Sequence, residues 1–428
     1  MLKIYNYNDN DNEQLIKELK ERENEVSGDI VTIVTDILNN VKEKKDEALK
    51  EYSLKFDNVD LKELEISKEE LKSYYDEVDD EYLQYLKEAK DNIEFYHKAQ
   101  CKEGYELTKE DGIYLGQKVT PIEKVGIYVP GGTAAYPSTV LMNAVPAKVA
   151  GCREIIMTTP PKEGGRINPY IAVAADIAGV DRVFKVGGAQ AIAALAYGTQ
   201  SVPKVDKIFG PGNMFVSVAK KLVFGNVGID MIAGPSEILV IADDNANPKY
   251  VALDLMTQAE HDKYSSSILV TPSMQLATKV NEQLNILVEE SLRKDIIIES
   301  FKSYGKIIIC NDIDQCCEVS NLVAPEHVEV MVENPKQYLD KLINVGSIFL
   351  GYNTPETIGD YFGGTNHVLP TNGTARFYSA LSVDSFIKKT SYLYYSEEAI
   401  QKHGTKIIKF ANHEGLEAHA NAVEARLK

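Results

Sequence analysis

From about residue 121 onwards, short apolar runs alternate regularly with helix-like segments, and this order limits the folds that the chain can adopt. The first apolar runs are residues 125–129, 154–158, 183–186 and 207–209. The segments between and after them have helical character and cover residues 138–150, 169–178, 189–197 and 214–224. This β-α-β-α order predicts a parallel sheet with helices on both faces.

The alternation restarts near Gly234, with further predicted strands at 237–242, 267–271, 306–310, 328–332 and 347–350. We therefore predict an α/β fold with two successive Rossmann-like, doubly wound units, residues 121–236 and 237–371. Residues 1–120 are charged and are expected to be mainly helical, with helix spacing at 12–25 and a helical run from Ser67 to about 100. In that run Tyr82 and Tyr85 are expected to pack in the core. Residues 372–428 are too short for a domain, so this tail is expected to dock on another surface.

The charge balance and the cysteines narrow the class of protein. The net charge of −18 argues against nucleic acid and anionic membranes as partners. The five cysteines form no C-x-x-C pair, which makes a sulfur-ligated zinc site unexpected and fits a reducing cytoplasm. No apolar run approaches the ~18 residues of a membrane helix, and the first residues do not resemble a secretory signal. Cys152, at the end of a packed helix, is expected to be structural.

Glycines mark three predicted strand ends, at residues 130–133, 186–190 and 209–213. Glycine lets backbone N–H groups approach a ligand, and the helix N-termini that follow favour anions such as a pyrophosphate. None of the three is a G-x-G-x-x-G motif or a P-loop. Each could be a plain turn, but three in one unit indicate nucleotide binding.

Two side chains that can move protons near neutral pH are adjacent in the sequence, Glu326 and His327. Pro325 stiffens the chain before them, and a period-2 pattern that predicts a strand follows. The pair is either a solvated entry to that strand or an acid–base centre. Because ligand sites usually lie beyond the carboxyl ends of strands, we expect a loop to carry the pair into the cleft between the two units.

For other histidines and carboxylates the sequence also allows two interpretations, a solvated side chain or a residue of a functional site. Gln258 and His261 share one helix face, so His261 is either solvated or directed into a site. Asp360 and His367 lie on a loop-like segment, where functional residues concentrate. Glu414 and His419 lie on a helix of the tail and either face a partner surface or are solvated.

Taken together, these segments resemble the histidinol dehydrogenase family, over about residues 28–425. The motifs that carry the resemblance are VGIYVPGG (125–132), GGAQA (187–191), IFGPGN (208–213), AGPSE (233–237), QAEH (258–261), APEH (324–327), GTNHVLP (364–370) and HEGLEAH (413–419). Ile232 departs from the family, which usually has proline at this position. The departure affects a turn and replaces no functional side chain.

The resemblance implies oxidation of L-histidinol to L-histidine through L-histidinaldehyde, with zinc and two molecules of NAD. It implies zinc ligands at Gln258, His261, Asp360 and His419, which also contact the substrate. It implies an acid–base pair, Glu326 and His327, which touches the substrate together with Ser236, His367 and Glu414. NAD would be held by Tyr128, Gln190 and Asn213. The family is a homodimer whose tail crosses to the partner, so Glu414 and His419 would complete the neighbour's site.

The sequence is also compatible with three other functions. A paralogue could oxidise a different primary alcohol with the same zinc and NAD. A zinc hydrolase would need no cofactor, and the three glycine loops count against it. A catalytically inactive binding protein would be expected to lack some of these polar groups, and none is missing.

Overall fold

The computed structural model describes residues 1–7, 13–20, 28–131 and 136–428. The predicted helix at 12–25 is therefore described only over Glu13–Lys20, and Gly132 and Thr133 of the first glycine loop lie outside the described residues. Within these ranges the chain forms a mixed α/β fold with two parallel sheets, as the alternation predicts, and a third, antiparallel sheet.

The N-terminal region combines helices with strands. In chain order its elements are β1 (Lys3–Asn6), α1 (Glu13–Lys20), α2 (Gly28–Lys44), α3 (Asp46–Tyr52), a π-helical turn (Ser53–Asp57), α4 (Lys68–Ser73), a 3₁₀ turn (Tyr74–Glu77), α5 (Asp80–Lys98), β2 (Tyr105–Glu110) and β3 (Ile113–Pro121).

This region differs from the prediction in three respects. Besides the helices it contains strands that were not predicted, because β1 joins the sheet of the second unit and β2 and β3 form a hairpin. The run after Ser67 is broken, because Asp79 caps a new helix by accepting the Tyr82 N–H group at 2.8 Å. Tyr82 packs against the core as expected, whereas Tyr85 is 49% exposed, so its predicted core position is wrong.

The first unit has one five-stranded parallel sheet in the order β6-β5-β4-β7-β8. Its elements are β4 (Lys124–Tyr128), α6 (Pro137–Ala150), β5 (Glu154–Thr159), a 3₁₀ turn (Glu163–Gly165), α7 (Pro169–Ala178), β6 (Arg182–Lys185), α8 (Gly188–Tyr197), β7 (Lys207–Phe209), α9 (Met214–Val223) and β8 (Gly228–Ile229). Consecutive residues of β5 contribute to different cores, Ile155 and Met157 to one and Ile156 to the other. Both faces are therefore buried, which explains why these strands are continuously apolar.

The second unit has a six-stranded parallel sheet in the order β1-β11-β10-β9-β12-β13. Its elements are β9 (Glu237–Ala242), α10 (Pro248–Ala259), β10 (Ser266–Thr271), α11 (Met274–Glu290), α12 (Lys294–Tyr304), β11 (Lys306–Ile309), α13 (Ile313–Val323), β12 (His327–Met331), a 3₁₀ turn (Pro335–Lys341), β13 (Ser347–Leu350) and α14 (Glu356–Tyr361). Along β9, Ile238 and Val240 face one core and Leu239 and Ile241 face the other.

The tail is partly docked on its own chain. Its elements are 3₁₀ turns (Thr374–Arg376 and Val383–Phe386), β14 (Ile387–Tyr395), α15 (Glu397–His413) and α16 (Glu417–Glu424). Strand β14 pairs antiparallel with β3, so the hairpin of the N-terminal region and the tail form one small sheet. None of the helices in the described ranges is long and apolar enough to span a bilayer.

Candidate active site

Both sheets line one cavity of about 1090 Å³, but they do so with different edges. The first sheet contributes its carboxyl edge, since Tyr128 is the last residue of β4 and Gly210 directly follows β7. The second contributes its amino edge, since Ser236 directly precedes β9 and His327 is the first residue of β12. The expectation of a loop-borne pair is thus correct for Glu326 only. His327 belongs to the strand and is paired with Ile238 and Ser347.

The position at an amino edge has a simple electrostatic consequence. Helices in such units run antiparallel to the strands, so their C-terminal ends meet at that edge. Gln258 and Asp360 are next to last in α10 and α14, and Glu326 follows α13. Helix C-termini carry partial negative charge and favour cations. At the carboxyl edge of the first sheet the N-termini of α8 and α9 favour anions. The cavity therefore has a cation-favouring end and an anion-favouring end.

Most of the predicted site residues are brought together here. Those that line the cavity are Tyr128, Gln190, Asn213, Ser236, Gln258, His261, Glu326, His327, Asp360 and His367. The two tail residues, Glu414 and His419, are exposed and are not among the described residues that line it. A single chain therefore assembles every predicted site residue except those of the tail.

The turn before the acid–base pair is held in an uncommon conformation. Ala324, at the end of α13, has φ +53°, and its N–H group donates to Ser320 O at 2.8 Å. A non-glycine residue in the left-handed region costs of order 1 kcal/mol and persists where surrounding structure enforces it, often at functional sites. Pro325 follows, so the chain reaches Glu326 along a path with little freedom.

Glu326 is locked to Glu237 on the neighbouring strand. The Glu237 N–H group donates to Glu326 Oε2 at 2.9 Å, and the Glu326 N–H group donates to Glu237 Oε2 at 3.3 Å. Glu326 and His327 are both buried, so the alternative of a solvated pair at the strand entry is wrong. Burial raises the pKa of Glu326 to about 8. Glu326 can therefore exchange a proton near neutral pH.

His327 presents one ring nitrogen to the cavity. Its Nδ1 lies 2.9 Å from Glu237 O, and because a carbonyl only accepts, Nδ1 carries the hydrogen. Its Nε2 is buried, has no hydrogen-bond partner in the described part of the chain and lies 3.8 Å from Asp360 Oδ1. Burial lowers the pKa of His327, but the carboxylates of Glu326 and Asp360 outweigh it and raise the pKa to about 10.

The cation-favouring end holds oxygen and nitrogen donors suited to zinc. Gln258 is buried, and His261 is open to the cavity. His367 Nδ1 donates to the Asp360 carbonyl oxygen at 3.0 Å, so the other ring nitrogen of His367, Nε2, takes no part in this hydrogen bond.

A cluster that the sequence did not indicate lies beside these donors. Ligand atoms of His327, Glu356 and Asp360 all lie within 4.8 Å of one another, and Glu356 Oε2 has no hydrogen-bond partner within the described ranges. Of the predicted ligands only Asp360 belongs to it. In the metal-free protein Glu326 and Asp360 favour the protonated form of His327, which does not bind a metal. A cation bound at Asp360 would lower the pKa of His327 and leave Nε2 able to accept a proton.

The carboxyl group of Glu329, on strand β12, holds the helix that carries Asp360. Glu329, fully buried two residues after His327, accepts the Glu356 N–H group through Oε1 at 2.8 Å. Asp360 lies four residues beyond Glu356, on the same face of the short helix α14. Glu329 therefore ties the position of Asp360 to the strand that carries His327.

At the anion-favouring end a buried ion pair fixes one glycine peptide. Gly210 donates its N–H to Asp230 Oδ2 at 2.8 Å and accepts from Lys220 Nζ at 2.9 Å, and Lys220 and Asp230 form an ion pair. Gly210 has φ +111°, and a Cβ there would lie 2.1 Å from Tyr128 O, so only glycine fits.

The predicted NAD contacts have local partners at the same end. The Tyr128 hydroxyl accepts the Gly188 N–H group at 3.2 Å, and Asn213 Oδ1 accepts the Val216 N–H group, also at 3.2 Å, as the cap of α9. Gln190 is buried in the first turn of α8. These side chains are held in place at the helix N-termini.

Several cavity or neighbouring residues were missed from the sequence. Glu237 lies within the AGPSE motif but was assigned no role. Asp57, Lys220, Asp230 and Glu356 belong to none of the motifs, and only the fold brings them to the cavity or its edge. Cys152 is buried, its thiol donates to Phe386 O at 3.8 Å, and burial raises its pKa to about 11, all as expected for a structural thiol.

Comparisons with known proteins agree along the whole chain. A family model described as histidinol dehydrogenase matches residues 20–427. Histidinol dehydrogenase from Clostridium acetobutylicum is 55% identical over 418 residues, covering 98% of this chain and 97% of the relative. The enzyme from Geobacillus kaustophilus is 52% identical over 395 residues, covering 92% and 93%. The crystal structure of histidinol dehydrogenase from Elizabethkingia anophelis has a TM-score of 0.94 at 41% identity, covering 99% of this chain and 98% of that one.

Proposed function

The chain belongs to the histidinol dehydrogenase family, a family of NAD-dependent oxidoreductases, and from this we propose a zinc-dependent, two-step oxidation of L-histidinol to L-histidine in the cavity between the two sheets. The observation that carries the proposal is the unpartnered, buried Nε2 of His327, which lies 3.8 Å from Asp360 Oδ1. A cation held by Asp360 would offset that carboxylate and lower the pKa of His327, so that Nε2 could accept a proton beside the metal, as alcohol oxidation requires.

For the metal we propose Gln258, His261 and Asp360 as ligands from one subunit. Their donors are oxygen and nitrogen, and they lie where helix C-termini favour a cation. Zinc bound there would grip the imidazole and amine of L-histidinol and orient its carbinol carbon. Three protein ligands from one subunit leave coordination positions open for the imidazole and amine of the substrate and for a residue of the partner subunit.

For the proton transfers we propose His327 in both oxidations and Glu326 mainly in the second. NAD supplies the hydride acceptor in each step. His327 Nε2 accepts the hydroxyl proton of L-histidinol in the first oxidation. His327 then releases this proton to solvent. Glu326 takes a proton from the water that adds to the aldehyde carbon, and His327 accepts a second proton as the hydrate is oxidised. Ser236 and His367, which line the same cavity, contact the substrate.

For NAD we propose the anion-favouring end. Tyr128, Gln190 and Asn213 line the cavity beside the N-termini of α8 and α9, where backbone N–H groups suit a pyrophosphate. The Lys220–Asp230 pair keeps the Gly210 peptide in the position that close approach of the cofactor needs.

For the tail we propose exchange in a homodimer. Glu414 and His419 are exposed on their own subunit, and His419 of the partner subunit would supply the fourth zinc ligand. The test is complementation: a mixture of His327→Asn and His419→Asn chains, each inactive alone, is refolded together. If sites are shared, about a quarter of the wild-type sites should be restored by random pairing into two-fold dimers. If His419 serves its own chain, no activity returns.

The function itself is tested by following NADH absorbance with L-histidinol before and after chelation and after return of zinc. We expect NADH formation that stops when zinc is removed and recovers with zinc. Other primary alcohols, such as L-leucinol, should give far lower kcat/KM, because they lack the imidazole. NADH formation that persists in fully zinc-free protein would contradict the proposal.

A further inference from the structure

One wall of the cavity comes from the N-terminal region, to which neither the sequence motifs nor the relatives' names assign a role. Ile33 and Ile37 of α2 line it, together with Lys55, Phe56 and Asp57 of the π-helical turn. Helix α2 packs against α8 and α9. This wall therefore belongs to the anion-favouring end of the cavity, beside the glycine loops, and not to the end that holds His327. A π-helical turn is uncommon and frequently marks a functional site.

Asp57 presents an unpartnered carboxylate oxygen in this wall. Its Oδ2 atom is buried and has no hydrogen-bond partner anywhere in the ranges that the structure describes. The neighbouring Lys55 holds its ammonium over the Phe56 ring, 5.1 Å from the ring centre. Burial raises the pKa of Asp57 to about 6, so the group is still mostly ionised at pH 7.5. A buried acceptor without a partner is costly, and a ligand that donates hydrogen bonds removes this cost.

The surface next to Asp57 is apolar. Phe56 is 51% exposed and Ile33 is 46% exposed, and both line the cavity. Large apolar side chains that are open to a cavity, with a few polar groups among them, are typical of small-molecule sites. A flat purine with an attached sugar has this combination of an apolar face and hydroxyl donors.

We propose that this wall is the subsite for the adenosine end of NAD, where Asp57 accepts hydrogen bonds from the ribose hydroxyls and excludes a 2′-phosphate. In dinucleotide sites an acidic side chain commonly binds the 2′-hydroxyl of NAD, whereas a cationic one accommodates the 2′-phosphate of NADP. The inference rests on the proposed function, because it takes NAD as the cofactor. It adds that Asp57 sets the preference for NAD over NADP.

The test measures binding of NAD⁺, NADP⁺ and ADP-ribose by calorimetry at pH 7.5 to the zinc-loaded full chain. The variants are Asp57→Ala and Asp57→Asn, with Asp60→Asn as the matched control. Asp60 is exposed, lies three residues away and is not among the described residues that line the cavity. Asp57→Ala should weaken NAD⁺ and ADP-ribose binding about 10-fold, as expected for loss of a charged acceptor, and Asp57→Asn should weaken it less. The ratio of NAD⁺ to NADP⁺ affinity should fall at least as much, and Asp60→Asn should change neither value.

The inference is overturned if wild-type protein binds NADP⁺ as tightly as NAD⁺, or if Asp57→Ala leaves their affinity ratio unchanged. Thermal melts and zinc content of each variant check that the fold and the metal site are intact. Histidinol oxidation by the wild type is measured on the same samples. If that activity is present while the ratio does not respond to Asp57, the proposed function stands and this subsite does not. If that activity is absent while the affinity ratio responds to Asp57, this subsite stands and the proposed function does not.

Discussion

The Nδ1–H group of His327 donates to the carbonyl oxygen of Glu237, 2.9 Å away, across the pair of strands β12 and β9. This bond fixes the ring orientation and leaves Nε2 as the nitrogen that faces the cavity. Because the acceptor is backbone in a buried sheet, a substitution elsewhere in the site does not release the ring. The proton acceptor is therefore preorganised before any ligand binds.

Replacing His327 with asparagine tests this directly. The asparagine amide can still donate to Glu237 O but has no base at the Nε2 position, so folding should be retained. We expect kcat to fall by about 10²–10⁴ in both oxidations, the range for loss of a general base. Steady-state rates with L-histidinol and with L-histidinaldehyde measure this, and zinc content serves as control. A variant that keeps more than a tenth of either rate would show that His327 is not the shared base.

Glu326→Gln separates the two half-reactions. Glutamine can still accept the Glu237 N–H group but cannot take a proton from water. Oxidation of L-histidinaldehyde should therefore lose about 10²-fold or more, while oxidation of L-histidinol to the aldehyde loses much less. Stopped-flow measurement of NADH from each substrate gives the comparison. Equal losses in both steps would rule out the assigned division of roles.

Glu329 is expected to act on zinc without touching it. Its Oε1 accepts the Glu356 N–H group at 2.8 Å and so holds the helix that carries Asp360. Glu329→Ala should weaken zinc binding about 10- to 100-fold, as is typical when a group that orients a metal ligand is lost. Glu329→Gln is the matched control, because its amide oxygen accepts the same bond, and it should bind zinc almost as wild type does. Competition with a chromophoric chelator reports both affinities, and equal weakening in the two variants would contradict the tether.

The buried acid–base pair should make the zinc-free protein less stable as the pH rises from 7 to 9. The pKa values of Glu326 and His327 are raised to about 8 and about 10. A raised pKa means tighter proton binding in the folded state, so its stabilising effect is present below the unfolded pKa and is lost as pH rises through the folded value. Histidines with lowered pKa, such as His261 and His367, act in the opposite direction only below about pH 6.5.

Urea denaturation in a chelator at pH 7 and pH 9 measures this effect. The free energy of unfolding should fall by up to about 1.4 kcal/mol per pH unit for each proton that the folded state holds and the unfolded state has lost. In Glu326→Gln the fall should be smaller, because one of the two groups is gone. A free energy of unfolding that is unchanged or larger at pH 9 would contradict the shifted pKa values.

The local elements could be read from the sequence because their signals are local. The predicted helix at 169–178 is observed as Pro169–Ala178, between an Asn168 cap and Gly179 with φ +79°. The strand at 237–242 is observed as Glu237–Ala242, where an uninterrupted apolar run follows from burial on both faces. Strand β1 and the pairing of β14 with β3 were missed, because both depend on partners hundreds of residues away.

The site was predicted largely from motifs, and its geometry was not. The family resemblance identifies His327 and Asp360, but only the fold shows that the site uses the amino edge of the second sheet. Residues that act through partners outside their own helix or strand, such as Glu329 and Lys220, have no sequence pattern that distinguishes them from other buried or charged residues. Tyr85 shows the limit of periodicity, since its position in a helical run did not place it in the core.

The central claim is that zinc is held by Gln258, His261, Asp360 and a tail histidine, while His327 stays free as the base. The most direct measurement is a crystal structure of the zinc–L-histidinol complex, with anomalous data at the zinc edge. We predict a zinc peak at about 2.0–2.2 Å from these donors, and His327 Nε2 within hydrogen-bond distance of the substrate hydroxyl. Zinc bound instead by His327, Glu356 and Asp360 would contradict the account.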